Sequence, residues 1–191
     1  MKFVILHGTL GSPEINWFPW VAGELEKLGH KTARPQLPTP EGQNPENWVR
    51  VIKEVIGSLG GPDDKTVIIA HNMSPLAACH YLASIDREIR ASFFVSGFAK
   101  RLNTPEPYPT LNNPFIDKKI DWSKVKTNCP DIICFAGDND PYVPLGVAKS
   151  FSKICGAKKL IVVPGGGHLS ETSGFKEFPL LLETIKTELK L

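Results

Sequence analysis

Short apolar runs alternate with amphipathic stretches along the whole chain. The runs are four to six residues long and rich in β-branched and aromatic side chains, which is typical of strands buried in a parallel sheet. They predict six strands, at residues 2–6, 31–34, 66–69, 91–96, 132–136 and 159–163. Apolar residues at helical spacing predict helices at residues 17–28, 45–59, 74–84, 121–127, 144–155 and 178–189. This alternation predicts an α/β fold: one domain over residues 1–191, with a doubly wound, mostly parallel six-stranded sheet flanked by helices.

The segment 97–115 interrupts this alternation. It contains four prolines and few periodic apolar residues, so we expect a long loop over the top of the sheet. Such a loop would roof a pocket, with Leu10, Trp17 and Phe98 as candidate substrate-binding walls.

Composition excludes several classes of function. A chain of 191 residues can bury a substantial core, while a net charge of +2 without a Lys/Arg run argues against nucleic-acid binding. No apolar run approaches the roughly 20 residues that span a bilayer, so no membrane segment is expected. The four cysteines lack metal-ligand spacing. We therefore expect a reduced, cytoplasmic setting and no metal or organic cofactor.

The stretch 66–78 has the pattern of a nucleophile elbow. A buried strand, a sharp turn at residues 71–73 and a helix follow one another, as in the G-x-S-x-G motif of hydrolases. Small residues flank the turn in this motif because strand and helix crowd together there. Ala70 and Ser74 take the two glycine positions, and Asn72 stands at the nucleophile position.

Polar residues follow the other strands at matching places. Loops at the carboxyl ends of parallel strands converge, so Thr9, Asn72, Asp140 and His168 should meet at one edge of the sheet. His168 would be the general base, Asp140 would fix its tautomer, and the backbone N–H groups of Thr9 and Met73 would form an oxyanion hole. Each feature also has a plain structural interpretation: Asp138 and Asp140 could initiate a turn, and His168 could be an ordinary loop histidine.

Several segments together resemble the small α/β-hydrolases of the YdeN-like, retinoblastoma-binding-protein-type serine hydrolase family. The matching segments are Leu6-His7-Gly8, Asn16-Trp17-Phe18-Pro19-Trp20, the elbow, residues 137–144 and residues 165–169. The resemblance implies an α/β-hydrolase fold with a minimal cap and no cofactor, acting on esters or similar acyl substrates. The pattern Gly137-x-x-Asp140-Pro-x-Val-Pro favours Asp140 over Asp138 as the acid.

Asn72 departs from that family pattern, because a carboxamide cannot form an acyl-enzyme. Three alternatives to a serine nucleophile at position 72 remain open. Ser74 could substitute, although it lies inside the helix. Asn72 could deamidate to aspartate, although a following Met73 does not favour fast deamidation. His168 and Asp140 could also activate water directly.

Three hypotheses follow for the function. The chain is a serine-hydrolase-family protein that has lost its nucleophile and binds a small acyl or ester-type ligand. Alternatively, it is a hydrolase that uses water or an unusual nucleophile, or it is a non-catalytic module that binds a protein partner on a hydrolase scaffold.

Overall fold

The computed structural model describes residues 1–191 as one α/β sheet structure. Its six strands are all parallel, in the spatial order β2-β1-β3-β4-β5-β6. The strands are β1 (Lys2–Leu6), β2 (Lys31–Ala33), β3 (Thr66–His71), β4 (Ala91–Val95), β5 (Ile132–Gly137) and β6 (Lys159–Val163). The helices are α1 (Phe18–Lys27), α2 (Pro45–Ser58), α3 (Ser74–Ser84), α4 (Tyr108–Asp117), α5 (Trp122–Asn128), α6 (Leu145–Cys155) and α7 (Pro179–Leu189), with a short 3-10 helix at Glu171–Ser173.

Two hydrophobic layers cover the faces of the sheet. Successive strand residues point to opposite faces, so Phe3 and Ile5 join the layer under α1 and α7, whereas Val4 and Leu6 join the layer under the other helices. Both faces are buried, which explains why the central strands are apolar throughout. The strand order reverses between β1 and β3, and the loops after these two strands therefore open a crevice at the sheet edge.

The segment predicted as a loop over residues 97–115 contains a helix, so that part of the prediction is wrong. Helix α4 begins at Tyr108 and continues to Asp117. Only Asn112 and Phe115 of this helix are buried, and Pro114 lies inside it. A helix with only two buried residues and a proline inside it lacks the apolar stripe on which sequence prediction depends.

None of the helices combines the length and the hydrophobicity that crossing a bilayer requires.

Candidate active site

The elbow is built by β3 and α3, which are separated only by Asn72 and Met73. Asn72 has a φ of +64°, a left-handed conformation that asparagine tolerates better than most side chains. Ser74 closes the turn: its hydroxyl accepts from the backbone N–H of His71 at 3.0 Å and lies 2.9 Å from the carbonyl oxygen of Leu6. Ser74 is completely buried by these contacts and does not line the cavity, so it is not placed to act as a substitute nucleophile.

The side chain of Asn72 contacts both the predicted oxyanion donors and the predicted general base. Its Oδ1 accepts from the backbone N–H of Met73 at 2.8 Å and from that of Thr9 at 3.3 Å. Its Nδ2 lies 2.9 Å from Nε2 of His168. The carboxamide oxygen therefore occupies the place where the two backbone donors would hold an oxyanion.

The hydrogen bonds of Asn72 determine which nitrogen of His168 carries the proton. Backbone N–H groups only donate, so the atom of Asn72 that faces Met73 and Thr9 is the oxygen, and its NH₂ faces His168. Nε2 of His168 then accepts, which leaves its proton on Nδ1, 2.8 Å from Oδ2 of Asp140. This is the neutral tautomer that a general base needs.

The acid turn holds Asp140 rigidly beneath the imidazole. Its second oxygen, Oδ1, accepts from the backbone N–H groups of Tyr142 at 2.8 Å and Val143 at 3.0 Å. Asp138 instead accepts from the backbone of Gly165 at 2.8 Å, and Asn139 from that of Gly167 at 2.7 Å. The turn thus uses Asp138 and Asn139 to fix the glycine loop, and it leaves Asp140 for His168.

Two side chains from neighbouring strands anchor the backbone of His168. Nε2 of His71 lies 2.9 Å from the carbonyl oxygen of His168, and the hydroxyl of Ser96 donates to the same oxygen at 3.0 Å. A carbonyl only accepts, so Nε2 of His71 carries a proton. Burial lowers the pKa of His71 to about 3, which keeps the ring neutral.

Trp17 is not a wall of the cavity, contrary to the sequence-based expectation. Its side chain is fully buried beneath the site, and its indole Nε1 donates to the carbonyl oxygen of Leu169 at 2.9 Å. The ring packs against Phe18, His71 and Phe178. Trp17 therefore supports the segment that carries His168, because large aromatic side chains favour such packed positions.

A polar network fixes the loop after β1. The Thr9 hydroxyl donates to Oδ1 of Asn112 at 2.5 Å and accepts from Nε2 of Gln43 at 2.9 Å. Gln43 and Asn112 are both buried. Through this network, α4 and the loop before α2 hold the Thr9 backbone in the position from which its N–H reaches Asn72.

A cavity of about 230 Å³ opens above these groups. Leu10 and Phe98 line it, as expected from the sequence, together with Leu102, Tyr108 and Asn112 from the segment that was expected to roof it. The rest of the lining is Gly8, Thr9, Gly11, Ile15, Asn16, His71, Asn72, Thr104, Tyr142, His168, Ser170 and Thr172. None of these side chains is an acid, a lysine or an arginine, so the only titratable groups in the lining whose ordinary pKa lies near neutrality are histidines.

Sequence analysis missed Ser96, Gln43 and Asn112. Ser96 directly follows β4, so the rule that selected residues after the other strands could have found it. Gln43 and Asn112 carry no comparable signal, because their role depends on a helix that the hydrophobic pattern does not predict.

Comparison with known proteins gives the context of this site. The family described as serine hydrolase matches residues 3–187. YdeN of Bacillus subtilis is 26% identical over 185 residues, covering 95% of this chain and 92% of YdeN. The serine hydrolase RBBP9 of Rattus norvegicus is 26% identical over 191 residues, covering 98% of this chain and 95% of the relative.

Solved structures share the fold. The crystal structure of the B. subtilis ydeN gene product superposes with a TM-score of 0.89 at 24% identity, covering 100% of this chain and 99% of that one. Est1E from Butyrivibrio proteoclasticus with bound ferulic acid superposes with a TM-score of 0.76 at 16% identity, covering 100% and 90% of the two chains. The family match extends over nearly the whole chain and includes every loop of the site. The chain therefore belongs to the serine hydrolase family of α/β-hydrolases.

Proposed function

We propose that this protein has the general base, the orienting acid and the oxyanion donors of an ester-type acyl hydrolase but lacks the nucleophile. The native chain then binds neutral acyl or ester ligands without forming an acyl-enzyme. One observation carries the proposal. The Asn72 carboxamide spans the distance from the oxyanion donors to Nε2 of His168. The geometry suits His168 as a base, Asp140 as its orienting acid and two backbone N–H groups as oxyanion donors, but the side chain between them cannot attack a carbonyl.

The cavity supports the choice of ligand. Its volume of about 230 Å³ suits a small molecule, and its lining offers hydroxyl and amide groups but no acidic, lysine or arginine side chain. Three of the eight exposed large apolar side chains, Leu10, Ile15 and Tyr142, surround this one cavity. Apolar surface concentrated at a pocket favours ligand binding over a vestigial site. Est1E, the structural neighbour with bound ferulic acid, binds a small acyl compound on the same fold, although as the free acid rather than as an ester.

The Asn72→Ser variant tests the proposal. A serine at the elbow would place a hydroxyl beside Nε2 of His168 and free the two backbone donors for the substrate carbonyl. We expect hydrolysis of p-nitrophenyl acetate to rise at least about 100-fold over the native chain, because triad groups act as a unit.

Two control variants make this experiment specific. Asn113→Ser adds a serine to α4 outside the cavity and should change nothing. Adding His168→Ala to Asn72→Ser should return the rate to the native level. If Asn72→Ser gains no hydrolysis although it folds, the histidine–aspartate pair is not competent, and the hypothesis of a protein-binding module gains support.

A further inference from the structure

The Asn72 carboxamide lies where the acyl group of a bound substrate would lie. Its carbonyl oxygen is held by the backbone N–H groups of Thr9 and Met73, and its nitrogen lies 2.9 Å from Nε2 of His168. In amide hydrolysis the carbonyl oxygen needs donors that stabilise a developing negative charge, and the leaving nitrogen needs a proton. In this site the donors face the Asn72 oxygen, and His168 faces the Asn72 nitrogen to which a proton must be returned.

We propose that Asn72 is a substrate of its own site, and that the folded protein hydrolyses this carboxamide to aspartate and releases ammonia. The inference rests on the proposed function in one respect, namely that His168 with Asp140 works as a general base. It goes further by assigning the chain a reaction of its own.

The step uses only water. Asn72 lines the open cavity and is only half-buried, so its side chain is accessible from the cavity. A water molecule first replaces Nδ2 as the donor to Nε2 of His168. Nε2 then takes a proton from this water while the water oxygen bonds to Cγ, and the π electrons of the carbonyl move onto Oδ1. The imidazolium then gives its proton to Nδ2 as the Cγ–Nδ2 bond breaks and the carbonyl re-forms. The new carboxyl group loses its proton to the ammonia, so the products are a carboxylate at position 72 and ammonium.

The usual route of deamidation is unfavourable in this geometry. That route forms a succinimide when the backbone nitrogen of the next residue attacks Cγ. The backbone N–H of Met73 instead donates to Oδ1 of Asn72 at 2.8 Å, at the start of α3. Attack would require this hydrogen bond to break at a residue that is fully buried. Direct hydrolysis yields only ordinary aspartate, whereas succinimide opening yields isoaspartate as well, so the two routes leave different products.

The product would change the chemistry of the site. A carboxylate can act as a nucleophile in covalent catalysis, which a carboxamide cannot. One oxygen would remain on the donors of Thr9 and Met73, and the other would replace the nitrogen beside His168. The conversion would therefore supply the attacking atom that the chain lacks as translated.

Incubation in ¹⁸O-labelled water tests the inference. Freshly purified protein is kept folded or unfolded in concentrated urea, and peptides containing residue 72 are followed by mass spectrometry. The label marks aspartate formed during the incubation. We expect residue 72 of the folded protein to convert to aspartate with one ¹⁸O and no isoaspartate, and to do so faster than in the unfolded chain. The exposed Asn103 provides the internal reference for background deamidation.

His168→Gln is the matched variant. It should slow the folded-state conversion by about 100-fold, the usual contribution of a general acid–base group. Folded protein that converts no faster than unfolded protein, or that yields isoaspartate at position 72, overturns the inference. The Asn72→Ser assay separates the two proposals: hydrolysis by that variant with no conversion of Asn72 would reject self-hydrolysis and leave the proposed function standing.

Discussion

At the scale of single residues, the site depends on how closely Gly8 approaches Asn72. A Cβ atom at position 8 would lie 2.5 Å from Cβ, 2.8 Å from Oδ1 and 2.9 Å from Cγ of Asn72. Contacts this short do not occur between real side chains, so only glycine lets the carboxamide sit between the donors and His168. The glycine in the His7-Gly8-Thr9 loop is therefore a packing requirement of the elbow.

Gly8→Ala should lower the free energy of unfolding by about 1–3 kcal/mol, the usual effect of forcing an extra methyl group into a packed site. Gly23→Ala is the matched control, because nothing lies within 4 Å of a Cβ at that position in α1. The control should be neutral or slightly stabilising, since alanine favours helix. Urea denaturation measures both, and equal stabilities for the two variants would contradict the packing argument.

A second prediction at this scale concerns His71 and the pH dependence of stability. Burial lowers its pKa to about 3 in the folded state, whereas the unfolded chain should titrate near the ordinary value of 6.5. Below that ordinary value the unfolded state binds a proton that the folded state does not, so this contribution to stability is present at neutral pH and lost as the pH falls toward 3. The loss can reach about 1.4 kcal/mol per pH unit.

His71→Asn removes this titration and should give a shallower fall in stability between pH 7 and about pH 4.5, measured by urea denaturation across that range. The variant will be less stable at neutral pH because it loses the contact with the His168 carbonyl, so the informative quantity is the slope. Parallel pH profiles for the native chain and the variant would show that His71 does not titrate on unfolding.

At the scale of elements, helix α4 contributes Tyr108 and Asn112 to the cavity lining, and Asn112 also contacts the loop after β1. Asn112 accepts from the Thr9 hydroxyl, and Gln43 donates to both side chains. These contacts fix the loop that carries the backbone N–H of Thr9, one of the two oxyanion donors in our proposal. The helix thus does more than cover the cavity, since it positions a backbone N–H.

Asn112→Ala in the Asn72→Ser background should lower kcat for p-nitrophenyl acetate by about tenfold, because small displacements of an oxyanion donor are costly. KM should change less than kcat, since the donor acts mainly on the transition state. Thr110→Ala, at an exposed position of the same helix, is the control. A change confined to KM would mean that Asn112 contacts substrate rather than positioning the loop.

The sequence predicts the strands and the loops that meet at the candidate site, and it fails for α4. Asp140 and His168 lie in the loops that follow two apolar strands, so the strand pattern and the parallel topology place them at one edge of the sheet. Trp17 and α4 depend on tertiary packing, which local pattern does not encode. An aromatic residue beside a loop suggests a cavity wall, but here Trp17 is buried beneath the cavity as a support.

At the scale of the whole molecule, the all-parallel sheet brings four loops to one edge. Each loop supplies one part of the site: Thr9 after β1, Asn72 after β3, Asp140 after β5 and His168 after β6. Their hydrogen bonds join these parts into one continuous chain of groups. The fold therefore aligns the groups to which we assign acyl-transfer roles around the Asn72 carboxamide.

Labelling with a fluorophosphonate probe tests this account most directly. Freshly purified native protein and Asn72→Ser are treated in parallel, and the adduct is located by peptide mass spectrometry. The account predicts no adduct on the native chain and one adduct on residue 72 of the variant, abolished by His168→Ala. An adduct on the native chain within this cavity would show that a working nucleophile exists, and it would contradict the claim that Asn72 silences the site.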